Sequence, residues 1–157
     1  MGYLNKTQIA EYTGNTFSIT YDGDHIRFTD SNGSFYNDGR YIEQGTSAIS
    51  DFSGSTALVV GLGIGVIPQW LATEKSCQVD VLEINPELIS KVNEMNYLSE
   101  SISIIEGDVF NYETTKSYDL IVFDIWFDKY GTAPNDKIFL ENAFSNNSNN
   151  IIFPFLT

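Results

Sequence analysis

Gly61, Gly63 and Gly65 stand at alternate positions in VVGLGIGVIP, residues 59–68, directly after a run of apolar residues. Glycine is costly to order, and so dense a set belongs where a side chain would obstruct something. Between the end of a strand and the start of a helix, such a turn lets a ligand lie against bare backbone. It also offers the amides that a first helical turn leaves without internal partners. That is a cofactor position. The dinucleotide fingerprint asks for a further glycine at 66, where this chain has Val66, so pyrophosphate is not the first choice. A tight structural turn is the competing explanation of the same glycines.

Three carboxylates shift the balance toward a ligand. Glu83 closes the apolar stretch VDVLE, Asp108 follows Gly107 behind ISIIE, and Asp124 ends LIVF. Each falls at the carboxyl end of an expected strand, the edge at which open α/β sheets bind ligands, and an acid in the place of Glu83 commonly accepts both hydroxyls of a ribose. Past Asp124, Trp126, Phe127 and Tyr130 read equally as an aromatic wall for a cationic group or as ordinary packing. The single histidine, His25, sits beside Arg27 on the polar face of an expected strand and reads as solvated. No His, Cys or carboxylate cluster has metal-ligand spacing, so no metal is expected. Cys77 is the only cysteine, which excludes a disulfide framework and leaves a buried structural thiol.

The elements that must hold these residues fall into two parts. Residues 16–43 read as short strands: TFSITY alternates Phe17, Ile19 and Tyr21 on one face, HIRF places Ile26 and Phe28 together, and turn signals stand at Asp22-Gly23, Asn32-Gly33 and Asp38-Gly39. A small antiparallel meander is expected. From residue 57 the pattern changes to apolar strands separated by helical segments, which means βα units and a parallel sheet. Five strands are expected, near 57–61, 78–84, 102–107, 118–126 and 150–156. A helix carrying Ile67, Trp70 and Leu71 follows the first, with Pro68 tolerable only in its first turn. The next opens on Asn85 as cap with Pro86 at its first position and runs Leu88, Val92 and Met95 along one face. SNNSNN at 145–150 reads as a loop. The expected division is a meander over 1–50 and an α/β core over 51–157.

Composition bounds the partners. Acids number 21 against 8 Lys and Arg, for a formal charge of −13, so a phosphate backbone would be repelled and nucleic acid is not an expected substrate. With 42% hydrophobic and 14% aromatic residues the chain is globular. It shows neither a signal sequence nor an apolar run of spanning length, so a cytoplasmic protein with no membrane partner is expected.

Taken together and in order, VVGLGIGVIP, VDVLEINPELI, IIEGDVF and YDLIVFDIW resemble the core motifs of class I S-adenosylmethionine-dependent methyltransferases, most closely the spermidine-synthase-like branch. The resemblance covers about residues 57–126. It implies a Rossmann-like three-layer fold with a mainly parallel five-stranded sheet of order 3-2-1-4-5. It further implies that Gly61, Gly63 and Gly65 line the methionine part of S-adenosylmethionine or its decarboxylated form. Glu83 would hold the ribose, Ile84 pack on the adenine, and Asp108 with the Val109 amide read the adenine edge. The same carry-over makes Asp124 the catalytic group that positions and deprotonates an attacking amine, a role suited to a carboxylate at an apolar rim, with Asp128 and Tyr130 beside it. Two departures matter. Val59 stands where many methyltransferases have an acid, as in spermidine synthases, and Phe127 stands where those synthases carry a second aspartate, Asp128 coming one position later. Against the family pattern, a final helix and β-hairpin are not found.

The expected function is transfer from S-adenosylmethionine to a small acceptor, a cationic one among the options. The alternatives are an aminopropyltransferase using the decarboxylated cofactor, a shortened enzyme that cleaves the cofactor, and a non-catalytic cofactor-binding protein. The apolar IIFPF stretch at a sheet edge, interrupted by Pro154, asks for a cover, so a homo-oligomer is expected, or the meander folded back.

Overall fold

The computed structural model describes residues 4–36, 40–125 and 134–155. Its first part is a four-stranded antiparallel sheet in the order β1-β2-β3-β4, formed by β1 (Tyr12–Thr13), β2 (Phe17–Asp22), β3 (His25–Asp30) and β4 (Gly33–Tyr36). Asp22 pairs with His25, so Gly23 and Asp24 form the first hairpin loop, and Gly23 takes φ +60° as the leading residue of a tight primed turn. Asp30 pairs with Gly33, which leaves Ser31 and Asn32 as the second loop. The alternation written in the sequence is obeyed: Phe17 and Ile19 of β2 and Ile26 and Phe28 of β3 are buried.

The meander ends earlier than the sequence reading placed it. Residues 40–43, read there as strand, begin helix α1 (Arg40–Ala48). Gly45, Thr46 and Ser47 are poor helix formers, and what holds the segment is tertiary: Ile42 and Ile49 are buried, and α1 packs on the next helix. A Cβ at Gly45 would stand 3.1 Å from the Phe155 ring and 3.2 Å from Ile67, so the absence of a side chain there sets how close α1 approaches.

The second part is a five-stranded sheet in the order β7-β6-β5-β8-β9, every pairing parallel. Its strands are β5 (Thr56–Val60), β6 (Gln78–Glu83), β7 (Ile102–Glu106), β8 (Leu120–Phe123) and β9 (Ile151–Ile152). This is the expected 3-2-1-4-5 order. β9 is much shorter than the apolar stretch promised, because the chain turns at Pro154 and Phe155 and sends the Phe155 side chain to the α1 face. Helices α2 (Val66–Glu74) and α3 (Pro86–Met95) join α1 on one face of the sheet, while α4 (Pro134–Ala143) lies on the other. Central strands covered on both faces are apolar at every position, hence the unbroken ALVV and LIVF runs.

The two faces have separate cores. Ala57, Val59, Val79, Val81, Leu120 and Val122 face α1, α2 and α3 and share their cluster with Phe17, Ile19, Ile26 and Phe28 of the meander. Leu58, Val60, Leu82, Ile121 and Phe123 face Leu140 and Phe144. The meander is thus part of the main core. Glu87, in the first turn of α3, ties it down: its carboxylate accepts the Asn15 amide at 2.9 Å and the hydroxyls of Tyr12 and Thr16, each at 3.1 Å. Among the described residues no helix is long and apolar enough to cross a membrane.

Candidate functional site

The carboxyl ends of β5, β6 and β8 open into a cavity of about 270 Å³, roofed by the β3–β4 turn of the meander. Gly61, Leu62 and Gly63 line it from β5, Glu83, Ile84 and Asn85 from β6, and Asp124 and Ile125 from β8. The meander contributes Thr16, Phe28, Asp30, Ser31, Asn32 and Phe35.

The glycine turn has positive φ at all three positions: +100° at Gly61, +52° at Gly63 and +84° at Gly65. Two of these glycines answer to the protein's own packing. A Cβ on Gly61 would run into the Asp124 carbonyl, and one on Gly65 would lie 2.7 Å from Leu98. Gly61 and Gly63 reach the cavity, whereas Gly65 caps α2 behind it. The turn is held from below by Tyr97, whose buried hydroxyl donates to the Ile64 carbonyl at 2.7 Å.

Glu83 is the buried acid of the site, with 9% of its surface exposed. One oxygen accepts the Leu62 amide at 2.8 Å and the other the Asn85 amide at 3.0 Å, so the carboxylate fastens the glycine turn to the end of β6. Burial raises its pKa above the usual carboxylate value; the amides of Leu62, Asn85 and Ile84 oppose that rise, and the charge of Asp30 adds to it. A carboxylate has about four lone-pair sites, so two amides leave capacity for a pair of ligand hydroxyls. The next residue, Ile84, is 64% exposed at the cavity edge, an apolar surface on which a flat ring can rest. These features fit the ribose and adenine of the expected cofactor.

Asp124 stands where the sequence placed it. Its amide donates to the Val60 carbonyl at 2.8 Å, extending the β5–β8 ladder into the cavity wall. Asp108 and Val109 lie outside the cavity, at the end of β7. The Asp108 carboxylate accepts the Phe110 amide at 3.0 Å and the Asn111 side-chain amide at 2.9 Å, shaping its own turn, and Val109 is buried on the α4 face. Asp128 and Tyr130, with Trp126 and Phe127, fall outside the described residues. His25 is exposed at the start of β3, away from the cavity. Among the described residues no group of three or more His, Cys, Asp or Glu is placed to hold a metal.

The sequence reading assigned none of the meander residues to the site. The turn signal at Asn32-Gly33 marked the loop, but which sheet edge a hairpin loop overhangs is a tertiary fact that local spacing does not encode.

The sequence matches no family model, and no curated protein matches it. Solved structures do share its fold. A probable spermidine synthase from Corynebacterium glutamicum ATCC 13032 superposes with a TM-score of 0.64 at 18% identity, over 87% of this chain and 59% of that one. The glycopeptide N-methyltransferase MtfA, complexed with S-adenosylmethionine, gives 0.55 at 13% identity over 71% and 46%. A TehB-like S-adenosylmethionine-dependent methyltransferase from C. glutamicum gives 0.52 at 18% identity over 71% and 59%. The chain thus spans about half the length of these structures. A five-stranded parallel sheet in this order, with a glycine turn after its central strand and an acid ending the next, has the Rossmann-like fold shared by class I S-adenosylmethionine-dependent methyltransferases and spermidine-synthase-like proteins.

Proposed function

We propose that the protein is an S-adenosylmethionine-dependent transferase of the methyltransferase type, acting on a small acceptor. The observation that carries this reading is the buried Glu83 carboxylate, fixed by two backbone amides between the glycine turn and the exposed Ile84. Glu83 takes the ribose hydroxyls with the acceptor capacity that its amides leave. Ile84 supports the adenine, whose edge extends toward Asp108 and the Val109 amide, while Gly61 and Gly63 border the methionine end. When bound, S-adenosylmethionine supplies a methyl carbon activated by its sulfonium. Asp124, across the cavity from Glu83, orients the acceptor and takes its proton. The β3–β4 turn covers part of the cavity, and reduced contact with water beneath it would strengthen these polar contacts.

Calorimetric titration with S-adenosylmethionine and S-adenosylhomocysteine tests the reading. Micromolar binding that Glu83→Ala weakens tenfold or more, about 1.4 kcal/mol, is expected. Asp124→Asn is expected to keep that affinity and abolish turnover. If neither ligand binds the wild-type protein, the glycine turn is structural and the transferase reading falls. Self-association along the outer side of β9 belongs to the same proposal, supported by the position of β9 at the end of the sheet order.

A further inference from the structure

Glu87 does not line the cavity, yet its contacts lead into it. An acid in the first turn of a helix is accounted for by the helix dipole, but the donors that Glu87 accepts stand on the meander. Its Oε1 accepts the Asn15 amide at 2.9 Å and the Tyr12 hydroxyl at 3.1 Å, and its Oε2 accepts the Thr16 hydroxyl at 3.1 Å. Gly14 makes room for this approach, because a Cβ there would overlap Glu87 Oε1 and crowd the Tyr12 ring. The φ of Gly14 is not positive, so space rather than backbone conformation accounts for a glycine at 14.

The same contacts continue to the cavity floor. Thr16 accepts the Asn85 side-chain amide at 2.9 Å, and both of these residues line the cavity. Asn85 caps α3, its side-chain oxygen accepting the amides of Glu87 at 3.0 Å and Leu88 at 3.3 Å. Its own amide donates to Glu83 Oε1 at 3.0 Å. A connected set of hydrogen bonds therefore runs from the meander through Glu87, Thr16 and Asn85 to the Glu83 carboxylate. The members of such a set constrain one another, and a carboxylate held at one oxygen by Asn85 is aimed by whatever fixes Asn85.

We propose that Glu87 is a positioning residue of this cavity: acting through Thr16 and Asn85, it aims the Glu83 carboxylate and so sets the affinity for a ligand diol. The effect on affinity rests on the transferase reading, in which Glu83 holds a ribose. The aim of Glu83 is a property of the protein alone and can be read without a ligand.

The test uses Glu87→Ala and Tyr12→Phe, both at positions outside the cavity lining. Phenylalanine at 12 removes only the hydroxyl and keeps the ring beside Phe17 and the Lys91 ammonium, so this variant decides the matter if Glu87→Ala does not fold. Two quantities are measured well below each variant's melting temperature. One is the affinity for S-adenosylhomocysteine by calorimetry. The other is the NMR resonance of the Leu62 amide proton, which reports the 2.8 Å bond to the second Glu83 oxygen from a segment remote from Glu87 in sequence. A merely structural tether lowers the melting temperature and moves neither. Glu87→Ala is expected to weaken binding about tenfold, roughly the worth of one hydrogen bond to a charged group, and Tyr12→Phe about threefold. Both variants are expected to shift the Leu62 amide proton upfield, as a loosened bond does. An affinity within about twofold of the wild type in every variant that folds, or a Leu62 resonance that stays in place, would overturn the proposal. If the wild type binds neither S-adenosylhomocysteine nor S-adenosylmethionine, the transferase reading falls, and the Leu62 resonance alone then decides whether Glu87 aims Glu83.

Discussion

A methyl group added at Gly61 would meet the Asp124 carbonyl and come within 2.9 Å of the Ile125 side chain, and the residue's φ of +100° is foreign to alanine. The carbonyl and the positive φ are backbone features that no rotamer change relieves. Gly61→Ala is therefore expected to cost about 3 kcal/mol or more, read as a lower denaturation midpoint in urea with an unchanged slope. A loss below about 1 kcal/mol would mean that the ends of β5 and β8 can part. The glycines, Glu83, Ile84 and Asp124 were legible as a set because strand-end acids and a glycine turn are fixed by local sequence. What stayed hidden was the division of labour among them. The reason for Gly61 lies across the sheet in Asp124, that for Gly65 lies in Leu98, and Asp108 spends its hydrogen bonds on its own turn, all contacts between segments far apart in sequence or set by loop geometry.

Among the elements, β8 is joined to β5 at its start as well as its end. The Asp119 carboxylate accepts the amides of Ser55 at 2.8 Å and Thr56 at 3.1 Å. These amides hold its pKa below the ordinary 3.8. A group whose pKa is lower in the folded state stabilises the fold fully above the unfolded value and loses that contribution as pH falls through the folded one. Asp119→Asn should then lower the melting temperature at neutral pH and flatten the loss of stability as pH falls below the ordinary 3.8. An unchanged acid slope in the variant would remove Asp119 from the account of acid unfolding. At this scale the sequence was informative wherever an element carried its own signal: Asn85 and Pro86 open α3 as local rules require, whereas its end at the left-handed Asn96 was not read from the sequence. Helix α1 was missed because its stability comes from packing on Ile67 and Phe155, while its glycine, threonine and serine speak against a helix.

For the whole molecule, the open side of β9 and the outer surface of α4 form neighbouring features. Lys137 of α4 lies 5.5 Å from the Phe153 ring just past β9, and the next two residues, Ile138 and Phe139, are 56% and 50% exposed. Phe139 meets the exposed Phe110 ring at 5.8 Å. Self-association there would cover an apolar surface that a charge of −13 elsewhere does nothing to hide. Light scattering at micromolar concentration should give a multiple of the 17.6 kDa chain mass, and a monomer mass would contradict it. Strand order and layering followed from the alternation of apolar runs with helical segments, whereas the overhang of the meander depends on the Glu87 tether between distant segments.

That tether has a consequence for how such a protein can change over evolutionary time. The floor of the cavity is built from interlocked backbone, with Gly61 against the Asp124 carbonyl and Glu83 clasping the Leu62 amide, so its positions have almost no neutral substitutions to explore. The Ser31 and Asn32 loop hangs from the meander with neither strand geometry nor a buried core of its own to preserve. New ligand preferences can therefore be acquired at the roof by single changes while the floor is inherited intact.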